Sequence, residues 1–224
     1  MTATKVESWG RYPAYAQTPH DCHWRNKITE DVSNLVSAHK TTLPYGLGRS
    51  YGDSCLATSD HVLNMQSLDR FIYADWETGI IRAESGVTLE DILNIARPNG
   101  WLLPVTPGTK FVTLGGAVAN DVHGKNHHVK GTFGSHVRSF GLVRTDRGQI
   151  TCSLQENAEL FNATVGGLGL TGVIAWVELQ LIPIQSSHID TTTVRFDSLK
   201  EFFALSNELD AHNEYTVAWV DCLA

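Results

Sequence analysis

VGGLGLTGVIAWVELQL, residues 165–181, carries Gly167, Gly169 and Gly172 in the spacing G-x-G-x-x-G, and the fold turns on how that string is read. In a dinucleotide-binding βαβ unit such glycines follow a strand and open a helix, so that a pyrophosphate meets the helix N-terminus. Here the order is inverted. Residues 156–165 place Leu160, Phe161 and Thr164 on one side of a helix, whereas residues 173–182 have the β-branched and aromatic content of a strand. A helix, a glycine turn and then a strand exclude a Rossmann NAD site at this point. The search for a site moves upstream.

Two upstream stretches are rich in glycine. The first, PYGLGRSYGD at residues 44–53, follows a helix expected over residues 29–40, where Thr29 is placed to cap and Val32, Leu35 and Val36 recur at helical spacing. Gly46, Gly48 and Gly52 allow successive amides to curl into an anion-binding nest, and equally allow a plain tight turn. Short strands are expected at residues 61–64 and 79–83. Thr88 then caps a helix carrying Leu89, Ile92, Leu93 and Ala96, which Pro98 and Gly100 end. The second stretch, VTPGTKFVTLGGAVANDVHG at residues 105–124, places Thr113 to cap a short helix near Gly115 and Gly116, whose free amides and positive dipole end suit a pyrophosphate. Ala117 and Ala119 let that helix lie close to a flat ring, or simply pack against backbone. The density of Gly, Thr, Asn and His over residues 106–134 suits backbone that approaches a ligand, and marks the main site.

HGKNHH, residues 123–128, offers a rival reading, because His123 and His127 have metal-ligand spacing if helical, as in a metal-dependent hydrolase. Gly124 and Asn126 disfavour helix there, and Lys125 would repel a cation. His127 and His128 are equally readable as structural histidines. The Walker A pattern is missing as well, since Lys125 is followed by Asn126 and not by Ser or Thr.

With 42% hydrophobic residues in 224, the chain has enough apolar content for one good core or two small ones. A formal charge of −7 argues against nucleic acid as a partner, since such binders present a basic face. Cys22, Cys55, Cys152 and Cys222 form no CxxC pair, and neither a signal peptide nor a transmembrane run is evident, so the reading is cytoplasmic, with peripheral membrane contact left open. Beyond residue 184 the character changes. An extended stretch is expected at 192–196, a helix at 198–209 and a strand at 216–220, a strand that lacks pairing neighbours and so reads as the start of an incomplete second domain.

GLGRSYGD, PGTKFVTLGGAVANDVHGKNHH, GSHVRSF and ELFNATVGGLGLTGVI, in that order and spacing, resemble the FAD-binding domain of the vanillyl-alcohol oxidase / para-cresol methylhydroxylase (PCMH) superfamily over roughly residues 20–184. Within it the chain is most similar to the branch of decaprenylphosphoryl-β-D-ribose 2-oxidase-like FAD-linked oxidoreductases, for which HGKNHH is a marker. The resemblance implies an α+β fold, a two-subdomain PCMH-type FAD-binding domain over residues 1–184 (subdomains about 1–60 and 61–184), with 185–224 beginning a truncated substrate domain. It implies that Pro44, Tyr45, Gly46, Leu47, Gly48, Arg49, Ser50, Tyr51, Gly52, Asp53 and Ser54 wrap the FAD pyrophosphate. Gly108, Thr109, Thr113, Leu114, Gly115 and Gly116 would contact the phosphates and ribityl chain, Asn120 and His123 the flavin, and Ile174 the adenosine side. His123 and Lys125 match active-site positions. Asp53 stands where many members of the wider superfamily carry the histidine that bonds covalently to the flavin, so non-covalent FAD is expected. The implied activity is oxidation of a secondary alcohol on a sugar or lipid-linked sugar by hydride transfer to flavin N5, His123 acting as base or orienter and Lys125 as electrostatic support, with a reductase partner completing an epimerisation. A flavin-binding module without turnover is the alternative from another class.

Overall fold

The computed structural model describes residues 5–222, and its architecture is α+β, built on two principal sheets. After β1 (Thr18–Asp21), a 3-10 turn at Arg25–Lys27 runs straight into α1 (Ile28–His39). Thr29 therefore lies inside the first turn and caps nothing. The N-cap is Lys27, whose backbone is already helical because the 3-10 turn feeds it. Ile28, Val32 and Leu35 form the buried stripe of α1. The strands β2 (Leu43–Tyr45) and β3 (His61–Asn64) pair parallel with their neighbours in the order β1-β3-β2. This sheet ends at residue 64.

The second sheet is antiparallel and collects β4 (Phe71–Asp75), β5 (Ile80–Glu84), β7 (Val137–Arg144), β8 (Gly148–Ser153) and β9 (Val173–Gln180) in the order β4-β5-β9-β7-β8. Between β5 and β7 the chain forms α2 (Leu89–Ala96), the short β6 (Trp101–Leu102), α3 (Leu114–Ala119) and a single turn, α4 (His127–Lys130). Strand β9 is central and buried on both faces. Ile174, Val177 and Leu179 join the core of Leu89, Ile92, Leu114 and Phe140, while Val173, Ala175 and Trp176 join Ile28, Val32, Leu35 and Leu63. Two-sided burial explains why its sequence reads as a nearly continuous apolar run. Thr88 caps α2 and Thr113 caps α3, each through its side chain, as expected.

The helix read over residues 156–165 is shorter, α5 (Ala158–Thr164). Ser153 Oγ accepts from the amides of Gln155 and Glu156 at 3.1 and 3.0 Å, and Asn157 is left-handed at φ 52°, so the chain is still turning where the helix was expected to begin. The strand expected over 173–182 divides at Leu181, whose amide leaves the ladder for Gly79 O at 2.8 Å. The remainder, β10 (Ile182–Pro183), pairs with β6. Order α5, glycine turn, β9 is as read, with no βαβ unit at Gly167, Gly169 and Gly172. Past residue 184, α6 (Leu199–Asp210) is capped by Ser198 and buries none of its residues. Residues 192–196 and 216–220 enter no ladder among the described residues. In the expected strand at 216–220, Thr216 N donates to Lys125 O at 3.0 Å, but among the described residues no neighbouring strand lies alongside to make a ladder.

Candidate functional site

A cavity of about 770 Å³ opens between the loop after β2 and the start of α3. This is well within the ~300–1,000 Å³ of small-molecule sites. Pro44 to Tyr51 and Ser54 form one wall; Gly108, Thr109, Thr113, Gly115, Gly116, Asn120 and His123 form another; Ile174 contributes from β9. The two glycine stretches thus face one space. Four expected residues stand off its walls. Leu114 has its side chain fully buried in the core, Gly52 and Asp53 lie on the exposed outer part of the first loop, and Lys125 is exposed with its carbonyl engaged by Thr216.

Hydrogen bonding corrects the expected source of anion-binding groups. At the start of α3, Leu114 N donates to Val87 O at 2.7 Å, Gly115 N to Ser85 O at 2.8 Å, Gly116 N to Thr113 Oγ1 at 3.2 Å and Ala117 N to Thr113 O at 2.8 Å. No free amide remains there for a phosphate. The glycines serve close approach instead: a Cβ on Gly115 would lie 2.7 Å from Ser85 Cβ, and one on Gly46 would overlap Thr113 Oγ1.

The first loop behaves differently. Its carbonyls accept bonds, Ser50 O from Trp9 N at 3.0 Å and Gly46 O from Gln66 Nε2 at 2.7 Å. Among the described residues, no amide from Gly46 to Ser50 donates to a protein group. With Gly48 at φ 63°, this run of unengaged amides has the character of an anion-binding nest. Arg49 adds a positive charge to the same wall, its Nε donating to Phe111 O at 3.2 Å and its guanidinium lying 5.3 Å from the Trp9 ring. Tyr45 anchors the loop from beneath, its hydroxyl donating to Glu7 O at 2.8 Å and accepting from Glu7 N at 3.1 Å. Burial pushes the Tyr45 phenol and the neighbouring Cys55 thiol above their ordinary pKa values, so both stay protonated at neutral pH.

His123 is exposed on the cavity wall and joined to Thr132 by an isolated bridge. Its ring meets His127 edge-on at 5.8 Å between centroids. Among the described residues no third metal-ligating side chain completes that pair, so the metal-hydrolase reading gains no support here. The local chain is held by Asn126, fully buried, whose Nδ2 donates to Pro104 O at 2.8 Å. Asn120 stands near the rim, its Nδ2 donating to Gly116 O at 2.8 Å and its Oδ1 accepting from Ser50 Oγ at 3.4 Å. That last bond links the two glycine stretches directly.

Several wall residues were missed in the sequence. Ser85 is buried beside the cavity, and its Oγ has no hydrogen-bond partner among the described residues. Trp9 reaches the cavity from the N-terminal segment, and nothing in its local pattern signals this. Leu168, Gly169 and Gly172 also line the cavity, with Gly169 so close to the loop start that a Cβ would lie 2.9 Å from Pro44 Cγ. Rejecting the βαβ reading of these glycines was correct, yet they face the same space. An amide nest, the Arg49 guanidinium and glycine-lined walls fit an elongated anionic dinucleotide such as FAD.

Comparison with known proteins leads to the same cofactor. A family model described as "FAD binding domain" matches residues 27–153. The chain is 38% identical to decaprenylphosphoryl-beta-D-ribose oxidase of Mycolicibacterium smegmatis, over all of this chain and 49% of that protein. It is 27% identical to L-gulonolactone oxidase of Bos taurus, over 93% of this chain and 46% of that protein. It therefore spans about half the length of these curated relatives. The fold is like that of alkyldihydroxyacetonephosphate synthase crystallised in P1, with a TM-score of 0.66 at 18% identity, over 75% of this chain and 32% of that one. From the matched family model, the alignment along the whole of this chain and the fold, this chain belongs to the FAD-binding domain family of the PCMH, or vanillyl-alcohol oxidase, type.

Proposed function

We propose that this chain forms the cofactor-binding part of an FAD-dependent oxidoreductase that oxidises a secondary alcohol on a sugar-type substrate. The observation that carries the reading is His123, an imidazole lining the same cavity as the amide nest. FAD, when bound, supplies the hydride acceptor, its N5. The protein's part is to hold the dinucleotide and move a proton. The Gly46 to Ser50 amides and Arg49 would hold the pyrophosphate. A ring nitrogen of His123 takes the proton of the substrate hydroxyl as its C–H bond breaks, or orients that hydroxyl. Asn120 keeps the rim closed through Ser50, and Lys125, two residues beyond His123 and off the walls, adds only a screened positive charge.

Asp53, at the usual linkage position, lacks the imidazole nitrogen that forms the bond to flavin, and its exposure on the outer loop points the same way, so FAD is held non-covalently. The substrate proposal, a free or lipid-linked sugar, rests on the similarity to the decaprenylphosphoryl-beta-D-ribose oxidase. It carries with it a reductase partner that would complete an epimerisation. Residues 185–224 begin the substrate domain in this reading. No helix among the described residues is long and apolar enough to cross a membrane, and contact with a lipid-linked substrate is proposed at the membrane surface.

The test uses a protein joining this chain to the further length present in its relatives. His123→Ala should slow flavin reduction by substrate by roughly 10²- to 10⁴-fold, the usual cost of losing a general base, with flavin content nearly unchanged. A per-flavin reduction rate equal to wild type in stopped flow would remove His123 from the chemistry.

A further inference from the structure

The apolar stripe of α1 runs Val32, Leu35 and Val36, and the next position on that face is His39, the last residue of the helix. Below it lies the parallel pair β1 and β3, in which Thr18 pairs with His61 and His20 with Leu63. Partners in a parallel ladder and residues two apart share a face, so His20 and His61 lie on the face of the sheet that carries Leu63 against α1. Three histidines from three separate elements thus converge where the core of α1 ends. His20 Nε2 and His61 Nδ1 are 2.9 Å apart, and the rings of His39 and His61 stack at 3.4 Å with 17° between their planes.

Each neutral imidazole offers one nitrogen lone pair, so the three rings together present a set of three possible metal donors. One N–H···N bond joins His20 to His61; His39 only stacks. One nitrogen from each ring lies within 4.8 Å of the others. A tetrahedral zinc with metal–nitrogen bonds of ~2.0–2.1 Å needs its nitrogens roughly 3.3 Å apart, so binding requires the His39 ring to turn out of its stack on His61. The negative end of the α1 dipole lies at His39 and favours a cation, while Lys40, the adjacent positive residue, keeps its side chain exposed.

We propose that His20, His39 and His61 form a site for a divalent transition-metal ion that prefers imidazole, of the zinc class, with solvent as the fourth ligand. The donor set is all nitrogen, which suits zinc over magnesium or calcium. None of the three residues lines the FAD cavity, so the proposal stands apart from the proposed oxidation. Its effect is a clamp. The ion would tie β1, the end of α1 and the start of β3 at the end of the sheet remote from the loop that follows Tyr45.

The test is equilibrium dialysis of the 224-residue chain against zinc chloride at neutral pH, with bound metal counted by mass spectrometry. About one zinc per chain is expected, as for a three-histidine site. His61→Ala and His39→Gln should each weaken binding by at least the ~10- to 100-fold that loss of even an outer partner costs, whereas His123→Ala should bind as wild type. Zinc should also raise the Tm of wild type and leave that of His39→Gln unmoved, since only the folded state presents the site. His39→Gln, at a half-exposed helix end, keeps the test decisive if His61→Ala fails to fold. Absence of zinc uptake by wild type, or uptake that survives both triad substitutions, would overturn the proposal.

Discussion

At Gly46 the two glycine stretches come into contact, and the missing side chain is what allows it. A Cβ there would overlap Thr113 Oγ1, the atom that accepts the Gly116 amide and caps α3. Gly46→Ala should therefore both displace the cap and push the nest away from the opposite wall. Overpacking of this kind costs about 1–3 kcal/mol, so the urea midpoint should fall and the FAD dissociation constant rise together. A fluorescence titration with FAD alongside urea unfolding checks this; a variant that loses neither stability nor affinity would show the contact to be slack. The same scale shows where local reading of the sequence stops. That these glycines mattered was legible in GLGRSYGD and LGGAVAN, but which amides were free was not. The free amides belong to the loop and not to α3, because Val87 and Ser85, distant in sequence, supply the carbonyls that occupy the helix start. Ser85 and Trp9 were invisible for the same reason: only the tertiary fold brings them to the cavity.

Among the elements, α2 was the most readable. Thr88 and Asp91 form a full capping box, the Asp91 amide donating to Thr88 Oγ1 at 3.1 Å and the Thr88 amide to Asp91 Oδ2 at 3.0 Å. Thr88→Ala should lower stability by about 1 kcal/mol, the usual cost of a lost cap, and leave FAD affinity unchanged. Thermal unfolding read by circular dichroism measures it, and a variant as stable as wild type would mean the helix is held by packing alone. Elements with a local signal of this kind, α2, α3, β3 and β9, were legible. The hairpin of β7 and β8 was not, since the other partner of β7 is β9, which lies beyond α5 in sequence, and Gly141 interrupts the apolar run where Trp176 packs over it. The strand expected at 216–220 failed for the converse reason: its local pattern was right, but a strand exists only with a neighbour.

For the whole molecule, the two sheets are joined by a layer in which Cys22 packs among Ile28, Leu63, Val143 and Trp176. Burial first, and then the Asp31 carboxyl, pushes the Cys22 thiol from an ordinary 9.0 up to about 12. The unfolded chain loses this proton near 9 while the folded chain keeps it, so the contribution is whole below about 9 and is lost as pH rises toward about 12. Unfolding midpoints should fall over that window, and less steeply in Cys22→Ala; equal slopes would assign the alkaline loss to other groups. The central claim is that this layered pair of sheets encloses FAD against a nest of backbone amides without a covalent bond. It is tested most directly by the visible spectrum of the purified chain, incubated with FAD if needed, before and after acid precipitation. A bound flavin spectrum near one FAD per chain, with all colour released to the supernatant, is the predicted result. A chain that takes up no FAD, or a pellet that keeps the colour, would contradict it.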